Sequence, residues 1–157
     1  MTPRPPFVFR AADVAEEEGR YPESDERLSC FRELGRRGGL ERIAVSLERL
    51  LPGRRTSWPH AHEREEEWAY VLEGEVTLWL DGETHLLRAG DFVAFPAGTG
   101  IAHTVRNDGT RDAILLVGGE RSRGTDRLWY PEHPERRAQM GEARWWADHP
   151  ESAGGRG

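Results

Sequence analysis

His60 and His62 stand two residues apart, Glu67 follows after four intervening residues, and His103 lies well downstream. In an extended strand successive side chains alternate faces, so His60 and His62 project from one side. Two imidazoles held that way can grip a transition metal, and a carboxylate and a third imidazole from other strands can complete its shell. The chain has six histidines, and three of them fall in this pattern; His85, His133 and His149 read as surface or packing residues. Three neutral imidazoles and one carboxylate leave one or two coordination positions open, as catalytic sites do and closed structural sites do not. Nitrogen and oxygen donors without thiolate suit Mn, Fe(II), Co, Ni, Cu(II) or Zn about equally. The expected cofactor is therefore one divalent transition metal per chain, its identity not selected by the donors.

The elements that must position these donors are short and extended. Ile43, Val45 and Leu47 alternate with Arg42, Ala44 and Ser46, the period of a half-buried strand, and Pro52-Gly53 ends that segment with a turn. Further strands are expected over 68–72, 75–80, 84–87, 92–95, 103–106 and 112–117, each bounded by Gly, Pro or Asn residues. Asp81-Gly82 between two alternating runs is a tight-hairpin signal, because both positions tolerate positive φ. Strands at this spacing predict an all-β fold, a single antiparallel β-barrel or jelly roll, with residues 1–157 as one domain and its core at about 40–118. Ahead of the core, 1–27 reads as an arm, with a short strand at Phe7-Val8-Phe9 and a helical turn and loop over 11–27. Behind it, 119–157 reads as a tail with a helix-compatible stretch from Glu135 to Arg144 and a frayed end at 154–157. Trp129, Trp145 and Trp146 in the tail are placed to cover an apolar surface, on this chain or a partner, or to form a lid.

Composition limits the partners. The net charge is −6, and the 22 basic residues are interleaved with 28 acids, which argues against a nucleic-acid surface. All 22 are arginine; without lysine there is no internal Schiff base. Cys30 is the single cysteine, so no internal disulfide forms and a small buried side chain is its expected role. No window approaches a membrane span and the N-terminus lacks the apolar stretch of a signal peptide, so the expectation is a cytoplasmic protein with no membrane partner.

Around the donors the spacing is specific. Gly53 precedes His60 by six intervening residues, Gly74 follows Glu67 after six, and Gly90, Pro96, Gly98, His103 and Asn107 follow in order. Over 53–107 the chain resembles the cupin superfamily, whose two motifs read G-x5-H-x-H-x3-4-E-x6-G and G-x5-P-x-G-x2-H-x3-N. The first motif here has one extra residue before His60, and the second has two between Gly98 and His103, so the departures fall in loops. The resemblance implies a metal held by His60, His62, Glu67 and His103. Glu66 fits the shorter spacing from His62 and Glu67 the longer, while the gap to Gly74 is met by Glu67. Alternation then puts Ala69 and Val71 inward with Glu67, and Trp68, Tyr70 and Leu72 on the opposite face. With Trp79 these make an apolar surface expected to close in a homodimer, unless the tail covers it.

Such a centre implies a metal-dependent enzyme acting on a small, oxygen-rich metabolite, with dioxygenase, isomerase and lyase chemistry all open to it. The alternative is a metal-loaded protein that binds a sugar or organic acid without turnover; a metal that merely ties hairpins together is the third reading. Tyr70, His85 and Arg106 are the acid–base candidates, none with a distinguishing spacing. Asn107, four residues beyond His103 on an extended strand, lies roughly 13 Å along the chain and is expected to serve the turn that follows.

Overall fold

The computed structural model describes residues 2–121 and 124–151; the glycine-rich end at 154–157 lies outside them. Eleven strands are present among these residues: β1 (Glu17–Glu18), β2 (Cys30–Glu33), β3 (Ile43–Leu50), β4 (Ala61–His62), β5 (Glu67–Glu73), β6 (Glu75–Leu80), β7 (Glu83–Arg88), β8 (Phe92–Phe95), β9 (His103–Arg106), β10 (Ala113–Glu120) and β11 (Leu128–Trp129). Short helices α1 (Leu34–Arg37) and α2 (Arg136–Met140) complete the set. One sheet has the order β1-β2-β3-β10-β5-β8, a second β7-β6-β9, and β11 pairs with β4. All named strand pairs are antiparallel. The chain is an all-β jelly roll.

The hairpin joining β6 and β7 turns at Asp81 and Gly82, with φ of 50° and 97°. These are left-handed values that Gly and Asp accept at low cost. Between the sheets, Leu50, Val71, Val76, Leu78, Val105, Ala113 and Leu115 form a buried apolar cluster. Asn107 is fully buried beside it: its Nδ2 donates to the Leu50 and Arg111 carbonyls at 2.7 and 2.8 Å, and its Oδ1 accepts from Gly109 N at 3.0 Å. That satisfies the local turn role expected for it.

Four expectations are corrected. Phe7-Val8-Phe9 is no strand; Val8 N donates to Pro5 O in a turn, since the preceding prolines have no N–H to give a ladder. Residues 11–27 do carry a short 3-10 turn, Ala11–Asp13, but also β1, which pairs with the unforeseen β2. The helix expected over 135–144 breaks at Gly141, φ 85°, into α2 and the 3-10 turn Glu142–Arg144. On β3 it is Ser46 and Leu50 that are buried, while Ile43 is 48% exposed. Ile43, Val45 and Leu47 therefore face outward, and Ser46, Glu48 and Leu50 inward.

The tail returns over its own chain. Trp145 packs with Trp58 and Tyr130, and Trp146 with Ala61 and Ala102, bringing Trp79 and Trp129 against them. It therefore covers Trp79 but leaves Leu72 and Phe92 open, at 41% and 60% exposure. No helix among the described residues is long and apolar enough to cross a membrane.

Candidate metal centre

Backbone pairing sets the centre. His60 and His103 bridge two antiparallel segments, each donating its N–H to the other's carbonyl, at 3.2 and 3.0 Å. His62 projects from the same side as His60, while Ala61 between them turns the other way, into the tail's tryptophan cluster. Glu67 opens β5, opposite Phe95 of β8 and Gly119 of β10. A Cβ at position 119 would sit 3.0 Å from Glu67 Cγ, so glycine there leaves the carboxylate its room.

The four side chains meet at one point. Glu67 Oε2 lies 3.4 Å from His60 Nε2, 3.1 Å from His62 Nε2 and 3.1 Å from His103 Nε2. Donor atoms of His60, His62 and Glu67 all fall within 4.8 Å of one another. The tautomers follow from the outer bonds. His60 Nδ1 donates to Trp58 O at 2.7 Å, and His62 Nδ1 donates to Asp126 Oδ2 at 2.6 Å. Each ring then presents the Nε2 lone pair to the cluster. His62 Nε2 is buried without an aligned hydrogen bond, and lone pairs crowded against a carboxylate call for a cation between them. The residues fit a divalent metal of the nitrogen-and-oxygen-liganded type.

Charge supports that fit. Burial acts to raise Glu67, but its contacts with His103, His60 and His62 outweigh it and hold the carboxyl well below the usual carboxylate range. Burial pushes His103 down to about 4, leaving it a neutral ring, and Phe95 stacks on it at 3.6 Å. For His62, burial acts downward, but Asp126 and Glu67 together push it up to about 10. Without metal, a proton on His62 takes the cation's place; a metal must displace it.

Asp126 orients the cluster from the tail. It is 1% exposed, and its Oδ1 accepts from Arg64 N at 2.8 Å and Glu65 N at 3.3 Å. This carboxylate–histidine arrangement is the outer support metal sites commonly use. Sequence reasoning missed it because an acid 64 residues from His62, outside any motif, carries no local signal. Glu48, missed likewise, lines a cavity of about 100 Å³ beside the cluster, with Thr56, Ser57, Phe95, Val105 and Val117.

Tyr70, His85 and Arg106 do not line that cavity. Tyr70 alternates with buried Ala69 and Val71 and so takes the outer sheet face. His85 pairs with Leu78 but sits on edge strand β7, its side chain 51% exposed. Arg106 alternates with His103 and Val105, which face inward, and pairs with Asp108 at 3.2 Å. Strand parity, which the spacing of isolated residues does not reveal, separates Tyr70 and Arg106 from the centre, and the edge position of β7 separates His85.

Residues 46–119 match the family model described as a cupin domain. A crystal structure described as a sugar phosphate isomerase from a cupin superfamily, from Silicibacter pomeroyi, is 31% identical with a TM-score of 0.72. The match covers 80% of this chain and 82% of that one. The chain belongs to the cupin superfamily. A second structure, from Acidithiobacillus ferrooxidans and provisionally described as a sugar phosphate isomerase, superposes on this cupin with a TM-score of 0.75. It is 30% identical over 82% of this chain and 83% of its own. Among curated proteins, the quercetin 2,3-dioxygenase of Bacillus subtilis is 38% identical over 60 residues, 38% of this cupin but 18% of that enzyme. The cupin thus spans well under two thirds of that relative's length.

Proposed function

We propose that this cupin is a metal-dependent enzyme acting on a compact, oxygen-rich metabolite, with His60, His62, Glu67 and His103 as the ligands of one divalent transition metal. The observation that carries the reading is the meeting of three imidazole Nε2 atoms on one carboxylate oxygen, at 3.1 to 3.4 Å, beside a cavity that His60, Glu67 and His103 line. A divalent ion held there would act as a Lewis acid toward a carbonyl or hydroxyl oxygen. The chain's own part is to fix the rings through Trp58 O and Asp126 and to keep His103 neutral. A cavity of about 100 Å³ is small beside the roughly 300–1,000 Å³ of a drug-sized pocket. That favours a metabolite of a few carbons, in line with the sugar phosphate isomerase likeness, over a polycyclic substrate such as a flavonol.

The test is turnover of small hydroxy-acids and hydroxy-carbonyls by metal-loaded protein, under air and under nitrogen, followed by product mass and O2 uptake. Product formed without O2 supports isomerase or lyase action, and O2-dependent product a dioxygenase. Tight binding with no product would replace the enzyme reading with that of a binding protein.

The same reading includes a homodimer closed by the outer face of the larger sheet. From β3 to β8, two successive cross-strand rows, Leu47-Leu116-Tyr70-Phe92 and Val45-Gly118-Trp68-Ala94, contain no charge, and Arg32 of β2 borders the first. Trp68 lies flat over Gly118, where a Cβ would meet its ring at 2.4 Å, so the face is smooth. The tail is occupied elsewhere on its own chain, and a second copy related by a two-fold axis is the commonest closure for such a face. Light scattering should return two chain masses for the protein and one for Phe92→Glu; a monomeric parent protein would refute the dimer.

A further inference from the structure

One carboxyl on the cavity wall has no part in the donor cluster. Glu48 reaches the cavity from β3, between the inward residues Ser46 and Leu50. Its Oε2 accepts a hydrogen bond from the buried Ser29 hydroxyl at 2.7 Å. The charges of Glu67 on β5 and Glu33 on β2 act on it, Glu33 being itself paired with Arg121 at 3.0 Å, and His60 and His103 share the cavity wall. Its cross-strand neighbours, Phe31 and Leu115, offer no charge. A buried carboxyl whose own hydrogen bond comes from a neutral hydroxyl is costly to keep ionised in the metal-free protein. Burial is the largest influence; with the Glu67 and Glu33 charges it outweighs the Ser29 bond and pushes Glu48 up to about 7. Groups that exchange a proton near neutral pH are the effective general acids and bases.

We propose that Glu48 is the proton-transfer group of this cavity and that the substrate is a compact α-hydroxy carbonyl compound, whose carbon-bound proton Glu48 removes and returns. The inference rests on the metal-enzyme reading and narrows it to a proton shift that consumes no O2. In the forward step the C–H bond of the hydroxyl-bearing carbon breaks and its proton passes to a Glu48 oxygen. The C–H electron pair forms the C=C bond of an enediolate, while the carbonyl π pair moves onto its oxygen, which carries the negative charge. Glu48 then returns the proton to the former carbonyl carbon, and the hydroxyl proton passes to the other oxygen. The net change is isomerisation, with no oxidant or reductant.

The test uses full-length protein loaded with manganese(II), oxalate as a probe of the cavity, and dihydroxyacetone as a probe of C–H exchange. Calorimetry of oxalate binding at about pH 8, in buffers of different ionisation enthalpy, reads proton uptake. The expected result is about one proton more per oxalate for the parent protein than for Glu48→Gln. In D2O, carbon-bound hydrogen of dihydroxyacetone should be replaced by deuterium, and at least about 100-fold more slowly by Glu48→Gln. Equal proton uptake, equal exchange, or no exchange by the parent protein overturns the proposal. Manganese retention with no oxalate binding would overturn the metal-enzyme reading itself, and so is distinguishable from failure of Glu48 alone. If Glu48→Gln does not fold, Ser29→Ala serves: loss of its hydrogen bond should move the pH midpoint of proton uptake upward, and an unmoved midpoint overturns the assignment.

Discussion

The two ends of the space between the sheets are built from the same strands and differ in almost everything else. β5 gives Glu67 to one end and Val71 to the other, β9 gives His103 and then Val105, and β3 gives Ser46 and Glu48 and then Leu50. Toward Leu50, Val76, Ala113 and Leu115 the interior is apolar and closed. Toward His60 and Glu67 it carries the ionisable side chains and a cavity, and the tail strand β11 pairs with β4 alongside. One end supplies the packing energy of the fold; the other uses that rigidity to hold groups that would repel or hydrate if left free.

The largest effect expected from breaking this contrast is at the polar end. His62→Ala should abolish stoichiometric metal retention, read by elemental analysis after gel filtration, because it removes both a donor and the partner of Asp126. A variant that keeps its metal would refute the ligand set. At the apolar end, Leu115→Ala should cost about 2–5 kcal/mol in denaturant unfolding, with metal affinity in the folded protein changed less than about threefold. A large loss of affinity would show that the two ends are not separable.

Glu48 gives a smaller effect with a defined pH dependence. Its folded value of about 7 lies above the ordinary 4.5, so the folded state holds a proton that the unfolded chain has released between those values. The stability it lends is full below about pH 4.5 and is lost as pH rises through 7. In metal-free protein, Glu48→Gln should gain relative to the parent across that window, by at most on the order of 3 kcal/mol at pH 8. A gap that does not widen with pH would place Glu48 in a solvated setting. The smallest effect is expected of Asp126→Asn, which keeps the shape but weakens the pull on His62. Metal affinity should fall roughly 10–100-fold with ligand number unchanged in the metal's absorption spectrum, and an unaltered affinity would remove Asp126 from the centre.

The convergence of His60, His62, Glu67 and His103 was legible because strand alternation and motif spacing both act on them: the four sit where two-residue periodicity and short turns put them. The hairpin at Asp81-Gly82 and strands β6, β8 and β9 were legible for the same reason. β3 was misleading. Its apolar residues alternate cleanly, but apolarity marks the face that something covers, and here the outer sheet face is apolar too. Asp126, Glu48 and the tail's seat over Trp58 and Ala61 depend on pairings between distant segments, which no local period encodes.

β11 pairs with β4 while Asp126, two residues before β11, grips His62. Docking of the tail and affinity at the centre are therefore reciprocal. Whatever free energy the seated tail lends to metal binding, bound metal must lend back to the seating of the tail. The two-stranded β4–β11 ladder is too short to hold by itself, so with the proposed metal bound amide hydrogen exchange at Leu128 and Trp129 should slow relative to metal-free protein, a gauge of occupancy.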